Sequence, residues 1–223
     1  MRDVITIDGP AGSGKSTVAR LLAKRLNRLY LDTGAMYRAV ALAAKRQGIL
    51  PTEGERLGEV CRSIDLRFDT DGDPPRLLLD DEDISDAIRV PEMDMLSSTV
   101  SAHREVREAI TLLQREMAQG RRLVAEGRDM GTVVFHDAKY KFFLTASPEA
   151  RAARRFQERV NRGERLSRSF VEAEMRKRDH QDETRLLAPL KPAKDAKVID
   201  STNYTPEEVF EEILEDIKKK ETS

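Results

Sequence analysis

The sequence predicts an α/β fold built on a doubly wound parallel sheet. Short apolar runs rich in β-branched residues, the first being Val4 to Asp8, alternate with longer segments of helical periodicity, a pattern typical of parallel strands joined by crossover helices. The first run passes directly into six residues, GPAGSG, and then into a helix with Val18, Leu21, Leu22 and Leu26 on one face. A chain of 223 residues is long enough for one substantial core with appended lobes.

The remaining core elements follow in the same alternating order. An extended stretch over residues 28–32 leads into a helix from Ala35 to Gln47, which Gly48 and Pro51 end. Residues 104–119 are predicted as a long helix, residues 121–126 as a strand and residues 127–131 as a glycine-flanked turn. The later pattern predicts a strand at 139–145, a helix from Pro148, a second helix through Glu183, a strand at 197–200 and an acidic helix from Pro206.

The alternation breaks between Ile64 and Ile88. Two apolar runs, IDLRFD and RLLLD, flank residues 71–75, whose Asp, Gly and Pro composition is typical of a turn between antiparallel strands. We therefore predict a single domain, residues 1–223, in which a small acidic β insert interrupts the α/β core. The approximate parts are a core at 1–31, 104–149 and 167–223, a second lobe at 32–103 that carries the insert at 64–88, and a helical lid at 150–166.

Composition and charge exclude several classes of partner. The 39 basic and 40 acidic residues give a net charge of −1, so no overall attraction to nucleic acid or to an anionic membrane is expected. Cys61 is the single cysteine and has no partner for an internal disulfide, which indicates a reducing compartment. No apolar run approaches the roughly 20 residues of a membrane span, and the amino terminus leads into a strand rather than a signal peptide. We expect a cytoplasmic monomer.

A phosphate-binding motif follows the first strand. Gly9 to Ser16 matches G-x-x-x-x-G-K-S/T, and the strand before it and the helix after it are the context that the motif requires. Backbone N–H groups of such a loop and the helix amino terminus surround phosphate oxygens. We expect Lys15 to reach the β and γ phosphates and the Ser16 hydroxyl to ligate Mg²⁺. The predicted nucleoside triphosphate site comprises Gly9, Pro10, Ala11, Gly12, Ser13, Gly14, Lys15, Ser16 and Thr17.

Other classes that use this motif lack their remaining signals here. The base-reading N-K-x-D of a GTPase is absent, and D-x-x-G occurs only at Asp69 to Gly72, in the predicted turn. A hydrophobic strand ending in Asp, which holds Mg²⁺ in motor and transport ATPases, is matched superficially by Leu77 to Asp80, but that run lies in the insert. What remains is a small kinase, which needs a second anionic site for the acceptor and mobile arginines.

Three clusters are candidates for the acceptor site. In residues 32–38, Thr33 lies at a helix start and Arg38 follows one turn later; an ordinary N-cap and a surface arginine are the alternative interpretation. Adjacent Arg128 and Asp129 lie between two glycines in a turn, where binding residues are common. The third cluster, residues 151–185, is rich in arginine.

Two features of the arginine-rich segment are informative. Arginines at 154, 155, 159, 162 and 165 flank the break at Asn161-Arg162-Gly163, which is typical of a hinged lid over a triphosphate. Arg178, Asp182 and Arg185 have the spacing i, i+4, i+7 and are expected on one helix face. A surface stripe of ion pairs is the alternative interpretation of that spacing.

Five segments together resemble the prokaryotic type of cytidylate kinase: GPAGSGKST, DTGAMYR, VREA, EGRDMGTVVF and KRDHQDETR with LAPL. The resemblance covers nearly the whole chain, and EGRDMGTVVF is its specific element. It implies a P-loop nucleoside monophosphate kinase fold with an acceptor lobe and a lid. It also implies transfer of the γ-phosphoryl group of MgATP to CMP or dCMP in pyrimidine nucleotide metabolism. One departure is His136, where the family usually has proline; we interpret it as structural or exposed.

The resemblance also implies roles for individual residues. Thr33, Arg38 and Arg128 would hold the sugar-phosphate region of the acceptor. Ser98, Arg107 and Asp129 would bind cytosine, whose 4-amino group is a donor complementary to an ionised Asp, whereas uracil has a carbonyl there. Arg178, Asp182 and Arg185 would contact the acceptor's sugar and phosphate. The implied catalytic set is Lys15, Arg128, Arg154, Arg178, Asp182 and Arg185. The alternatives are a kinase of the same fold acting on UMP, AMP or another small acceptor, a module that senses ATP without turnover, and a nucleic-acid-binding role for the arginine cluster.

Overall fold

A computed structural model describes residues 2–70, 72 and 75–222. Its chain forms two compact units, one containing Met1–Leu31 with Gly120–Ser223 and the other containing Asp32–Gln119. The strands are β1 (Arg2–Asp8), β2 (Leu29–Asp32), β3 (Leu66–Asp69), β4 (Arg76–Leu79), β5 (Glu82–Asp83), β6 (Leu123–Gly127), β7 (Ala138–Thr145) and β8 (Lys197–Asp200). The helices are α1 (Lys15–Arg25), α2 (Thr33–Arg46), α3 (Gly54–Ser63), α4 (Pro91–Val100), α5 (Arg104–Met117), α6 (Pro148–Asn161), α7 (Arg168–Thr184) and α8 (Pro206–Thr222).

The first unit is organised by a five-stranded parallel sheet in the order β2-β6-β1-β7-β8. The apolar run after the amino terminus forms the central strand β1, and its Ile5 pairs with Val124 on one side and Tyr140 on the other. The chain leaves β1 to form β2 beyond β6, and β7 returns to the opposite side of β1. The predicted α/β class with a parallel sheet flanked by helices is therefore confirmed. In such sheets ligands bind outside the carboxyl ends of the strands, at the point where the strand order reverses.

One hydrophobic cluster joins the sheet of the first unit to its helices. Ile5 and Ile7 of β1 are fully buried beside Val18 and Leu22 of α1, so the apolar face that the sequence shows in α1 is the face that packs. Helix α8 contributes three residues at helical spacing to the same cluster: Val209, Ile213 and Ile217. This packing fixes the start of α1, and with it the loop after β1. Among the described helices, none is long and apolar enough to cross a lipid bilayer.

The second unit contains α2 to α5 and a three-stranded antiparallel sheet in the order β3-β4-β5. The antiparallel pairing of the two runs in the insert is as predicted, with Leu66 opposite Leu79, while the short strand β5 is an addition. Most of the predicted turn between them lies outside the described residues, because Asp71, Asp73 and Pro74 are not among them. The Leu77 to Asp80 run lies in this hairpin, so it is not a strand of the parallel sheet.

Helix α5 belongs to the second unit, although we expected residues 104–119 in the core. Its first turn approaches α3 so closely that a Cβ atom on Gly58 would lie 2.7 Å from Cβ of Glu105. Val106 and Ile110 are buried. A glycine that permits close helix packing therefore explains why α5 lies with α3, a contact that the periodicity of α5 alone does not reveal.

Candidate active site

The glycine loop between β1 and α1 lies against the neighbouring strand β7. Gly9 has φ 152°, and a Cβ atom there would lie 2.1 Å from the carbonyl oxygen of Leu144. Gly14 has φ 87° and immediately precedes α1. A side chain at Gly9 cannot be accommodated, so the glycine is required by a close backbone approach as well as by its own dihedral angle.

Lys15 and Ser16, the two positions of the motif that carry side-chain chemistry, lie at the start of α1. The buried Lys15 Nζ donates to the carbonyl oxygen of Pro10 at 3.3 Å. The exposed Ser16 Oγ donates to Oε2 of Glu126 at 2.7 Å. The Tyr30 hydroxyl also donates to the Glu126 carboxylate. A hydroxyl and a carboxylate side by side are the hard oxygen ligands that suit Mg²⁺.

Glu126 is a functional candidate that we did not predict from the sequence. It lies at the carboxyl end of β6, in the buried run LVAEG, and β6 pairs directly with β1. A hydrophobic strand ending in an acidic residue was the available signal. The other run of this kind, Leu77 to Asp80, lies in the antiparallel hairpin, as predicted.

Asp8 is a second carboxylate missed from the sequence. Its two oxygens accept hydrogen bonds from the backbone N–H groups of Met130 and Gly131, each at 2.8 Å. Burial raises the pKa of Asp8 to about 7, against the lowering effect of these two bonds. Asp8 thus fixes the segment that follows β6 to the end of β1.

The predicted turn after β6 contains a π-helical turn, Met130–Val134. The carbonyl oxygen of Asp129 accepts from the N–H groups of Val133 at 2.9 Å and Val134 at 3.2 Å. Turns of this type often occur at functional sites. The exposed His136 follows, and its carbonyl oxygen accepts a hydrogen bond from Lys141 Nζ at 2.6 Å.

A buried cluster of carboxylates and arginines lies beyond β6 in the first unit. Arg128 Nε donates to Oδ2 of Asp182 at 2.9 Å, and their side chains are 15% and 5% exposed. Arg185 Nη2 lies 3.7 Å from Oδ1 of Asp129, with side chains 5% and 2% exposed. The structure therefore brings together residues that are more than 50 positions apart in the chain.

The arginines keep Asp182 ionised within this cluster. Burial acts to raise the pKa of Asp182, but the positive charges of Arg128, Arg178 and Arg185 outweigh it and lower the pKa below its usual value. Arg185 does not lie on the helix face that we predicted, because α7 ends at Thr184 and Arg185 caps it with an extended ψ of 140°. Its Nε is held by the carbonyl oxygen of Ala188 at 2.7 Å.

The arginines predicted for the lid have different surroundings. Arg154 on α6 donates to the carbonyl oxygen of Gly12 at 3.4 Å and to that of Ser201 at 2.5 Å, so it contacts the glycine loop directly. Arg159 is ion-paired with Glu164 at 2.8 Å and Glu174 at 2.5 Å. Arg155 and Arg162 both pair with Glu158. In this structure these three arginines, at 155, 159 and 162, are paired with local carboxylates.

In the second unit, the helix that contains Thr33 begins earlier than the sequence predicts. Helix α2 starts at Thr33 rather than Ala35, and its N-cap is Asp32, whose Oδ1 accepts from the N–H of Ala35 at 2.8 Å. An Asp at N-cap satisfies a backbone donor that has no partner within the helix. Asp32 also lies 3.3 Å from Arg38, and Asp94 of α4 lies 3.8 Å from it. Two carboxylates therefore orient the Arg38 guanidinium.

Ser98 and Arg107 are both buried in the second unit. Arg107 Nη1 donates to the carbonyl oxygen of Ser101 at 3.3 Å, and its guanidinium carbon lies 5.7 Å from the centre of the Tyr37 ring. An arginine over an aromatic face is stabilised by the ring quadrupole. The hydroxyls near Ser98, on Ser97, Thr99 and Ser101, donate to backbone carbonyl oxygens of α4.

The strand, glycine loop and helix at the start of the chain, on a parallel sheet of this order, define a protein of the P-loop nucleoside triphosphate-binding class. Among solved structures, one described as an uncharacterized protein from Eubacterium ventriosum ATCC 27560 shares the fold. The two chains are 12% identical, with a TM-score of 0.53 over 97% of this chain and 98% of that one.

Sequence comparison gives the family within this class. The family described as cytidylate kinase matches residues 5–219. A cytidylate kinase from Geobacter sp. (strain M21) is 48% identical over 217 residues, covering 97% of this chain and 93% of that protein. One from Caldanaerobacter subterraneus subsp. tengcongensis is 47% identical, covering 96% of this chain and 94% of that protein. The chain belongs to the cytidylate kinase family.

Proposed function

We propose that the protein is a nucleoside monophosphate kinase that transfers the γ-phosphoryl group of MgATP to CMP or dCMP, giving ADP and CDP or dCDP. Membership of the cytidylate kinase family over residues 5–219 supports the reaction. The structural observation that carries the cytosine assignment is Asp129, a buried acidic side chain in the family-specific segment, with Arg185 at 3.7 Å. A buried acidic acceptor suits the exocyclic amino group of cytosine.

The donor nucleotide is assigned to the glycine loop. The segment Gly9 to Thr17 holds the phosphates through backbone N–H groups, and Lys15 neutralises charge on the β and γ phosphates. The Ser16 hydroxyl and the Glu126 carboxylate, 2.7 Å apart, are a donor pair that fits Mg²⁺, with Ser16 as the direct ligand. A bound Mg²⁺ would supply charge neutralisation on the phosphates, and the Ser16 hydroxyl beside Glu126 would hold it.

The acceptor nucleotide is assigned to residues of three kinds. Ser98, Arg107 and Asp129 bind the base, and Thr33 and Arg38 hold the phosphate region together with Arg128. The remaining residues contact sugar and phosphate: Arg178, Asp182 and Arg185. Pairing buried donors and acceptors with the cytosine edge discriminates strongly, because a mismatched base leaves a buried polar group unpaired.

Phosphoryl transfer depends on positioning and charge neutralisation by the protein more than on covalent chemistry. Lys15, Arg128, Arg154, Arg178 and Arg185 supply positive charge. Asp182 has a lowered pKa and is therefore a weak base, so its role is to orient Arg128 and the acceptor rather than to remove a proton. An acceptor phosphate is already ionised at neutral pH and requires no general base.

The acceptor preference tests this assignment. We expect kcat/KM for CMP and dCMP to exceed that for UMP and AMP by about 10² or more, and a preference for UMP or AMP would contradict it. Asp129→Ala is expected to lower the CMP/UMP ratio more than it weakens MgATP binding. Glu207→Ala, at an exposed position of α8, is the matched control and is expected to change neither. An unchanged CMP/UMP ratio in Asp129→Ala would overturn the role of Asp129.

We also propose a cytoplasmic monomer without nucleic-acid or membrane partners. Burial raises the pKa of the Cys61 thiol to about 12, so the thiol is unreactive at neutral pH, which supports a structural role for this cysteine. Light scattering across a range of protein concentrations tests the monomer. A steep salt dependence of RNA or DNA affinity would contradict the absence of a nucleic-acid partner.

A further inference from the structure

Four successive carbonyl groups of the glycine loop accept hydrogen bonds from side chains. The donors are Lys15 Nζ to Pro10 at 3.3 Å, Arg151 Nη1 to Ala11 at 3.2 Å, Arg154 Nη1 to Gly12 at 3.4 Å and Ser201 Oγ to Ser13 at 2.9 Å. Only Lys15 belongs to the motif. The other three donors come from α6 and from the residue after β8.

Fixing a carbonyl group also fixes the N–H group of the same peptide, because the peptide unit is planar and trans and the two groups point in opposite directions. Arg151 holds the peptide between Ala11 and Gly12, and Ser201 holds the peptide between Ser13 and Gly14. Gly12 and Gly14 have φ values of 74° and 87°. Glycine adopts such positive φ values as readily as negative ones, so its own backbone preference does not fix these peptides. The two side chains therefore hold the peptides that have the least intrinsic preference for the phosphate-binding orientation.

Arg151 is itself held in place. Its side chain is 9% exposed, its Nε donates to the carbonyl oxygen of Ala146 at 3.1 Å, and its Nη1 donates to Asp179 of α7 at 2.6 Å. The backbone of Arg151 is equally close to the loop, since a Cβ atom on Gly12 would lie 2.8 Å from the Arg151 carbonyl oxygen. The first turn of α6 is thus built against the loop, with Asp179 balancing the buried charge.

Ser201 occupies the corresponding place on the β8 side. Its N–H donates to the carbonyl oxygen of Thr145 at 2.8 Å, which ties it to the end of β7. Its Oγ accepts from Arg154 Nη1 at 3.0 Å, and its single proton has two acceptors in reach, the carbonyl oxygens of Ser13 at 2.9 Å and Thr145 at 3.0 Å. The side chain is buried, so water does not compete strongly for these groups.

We propose that Arg151 and Ser201 are positioning residues that hold the two glycine peptides of the loop in the phosphate-binding orientation, with Asp179 orienting Arg151. This rests on the proposed function only in that the loop binds the donor triphosphate. It assigns the first turn of α6 to the support of the loop and the later part of α6 to the lid.

The test uses inorganic tripolyphosphate with Mg²⁺ as the probe, so that it does not depend on the acceptor. Ser201→Ala removes the hydroxyl, and Arg151→Lys keeps the charge but cannot make the three bonds of the guanidinium. By titration calorimetry on the full chain we expect the Kd for tripolyphosphate to rise about tenfold in each variant. The KM for MgATP is expected to rise similarly, while the KM for CMP stays within about twofold.

Matched controls change the same groups away from the loop. Ser63→Ala removes a hydroxyl that donates to the carbonyl oxygen of Val60 at 3.0 Å in α3, and Arg168→Lys alters an exposed arginine paired with Glu172. Both are expected to leave the tripolyphosphate Kd within about twofold of the wild type. Circular dichroism melts identify variants that remain folded at the assay temperature. If Arg151→Lys does not fold, Ser201→Ala decides the outcome.

Two results would overturn the proposal. One is a tripolyphosphate Kd within about twofold of the wild type in the folded variants. The other is an equal rise in the KM values for MgATP and CMP together with a lowered Tm, which is the signature of a general structural role. Failure of the proposed function is distinct: the wild type would bind tripolyphosphate but would not phosphorylate CMP, and the calorimetric comparison would still decide the role of these residues.

Discussion

The buried ion pair between Arg128 and Asp182 provides the sharpest stability prediction. At the observed separation of 2.9 Å, two unit charges attract by about 6 kcal/mol at an effective dielectric constant of about 20. Desolvation of each ion offsets much of this attraction. Asp182→Ala leaves the Arg128 guanidinium buried without its nearest carboxylate, so we expect a loss of about 3–5 kcal/mol in the free energy of unfolding.

Arg128→Met is expected to lower the free energy of unfolding by less than Asp182→Ala does, because Arg178 and Arg185 still lower the pKa of Asp182. In the double variant both charges are gone, and we expect a coupling energy of about 1–3 kcal/mol between the two positions. The assay is urea unfolding at pH 7, followed by far-UV circular dichroism, for the wild type, both single variants and the double variant.

An exposed pair supplies the comparison for this cycle. Arg168 and Glu172 lie 3.0 Å apart with side chains 54% and 30% exposed, and we expect a coupling energy of about 0.5 kcal/mol or less. If the buried pair gives a value as small as this control, the reasoning from burial is wrong. The pH dependence of the free energy of unfolding is a second check, and the direction of the Asp182 pKa shift fixes its sign. Because the pKa of Asp182 is lowered, its contribution is present above its unfolded value of 3.8 and is lost as pH falls through the lower folded-state pKa.

Three further predictions concern the loop and its surroundings. Lys15→Ala is expected to lower kcat by about 10² or more with a smaller effect on the KM for CMP, and near-wild-type turnover in a coupled ADP assay would contradict the role of Lys15. Gly9→Ala is expected to lower the free energy of unfolding, measured with urea, by about 3 kcal/mol or more, because its Cβ atom would lie 2.1 Å from the backbone oxygen of Leu144. Gly48→Ala is its control: Gly48 has φ 67°, and an added Cβ atom would meet no atom of the described residues within 4 Å beyond its chain neighbours, so the free energy of unfolding should fall by about 1–2 kcal/mol. For Asp8, whose pKa is raised from 3.8 to about 7, the contribution to stability is greatest below 3.8 and falls as pH rises toward 7. The free energy of unfolding of the wild type, relative to Asp8→Asn, should therefore decrease over that range, and a difference that does not change with pH would refute the assignment.

Much of the fold could be predicted because local pattern and global packing agree. Strand β8 was predicted at its observed bounds, Lys197–Asp200, because a short apolar run lies between two polar loops. Helix α4 was not predicted: it begins with Pro91 at its first position and contains Ser97, Ser98 and Thr99, which have modest helix propensity. Buried Met93 and Val100 show that tertiary packing stabilises it.

The candidate site was predictable where one segment carries the chemistry. The glycine loop was visible as a motif with its own strand and helix. Asp8 and Glu126 were not, because their significance comes from the pairing of β1 with β6, which brings distant parts of the chain together. The setting of Arg154 was also hidden, since its partners Gly12 and Ser201 are separated from it by 142 and 47 positions.

The hydrogen bond from Tyr30 to Glu126 gives the protein an optical property. The chain has no tryptophan and four tyrosines, so its near-ultraviolet emission is tyrosine emission. One of those phenols, that of Tyr30, donates a hydrogen bond to the Glu126 carboxylate, which also accepts one from Ser16. Any rearrangement of that carboxylate alters the surroundings of the Tyr30 ring, and the intrinsic fluorescence therefore follows events at the start of α1 without an attached label.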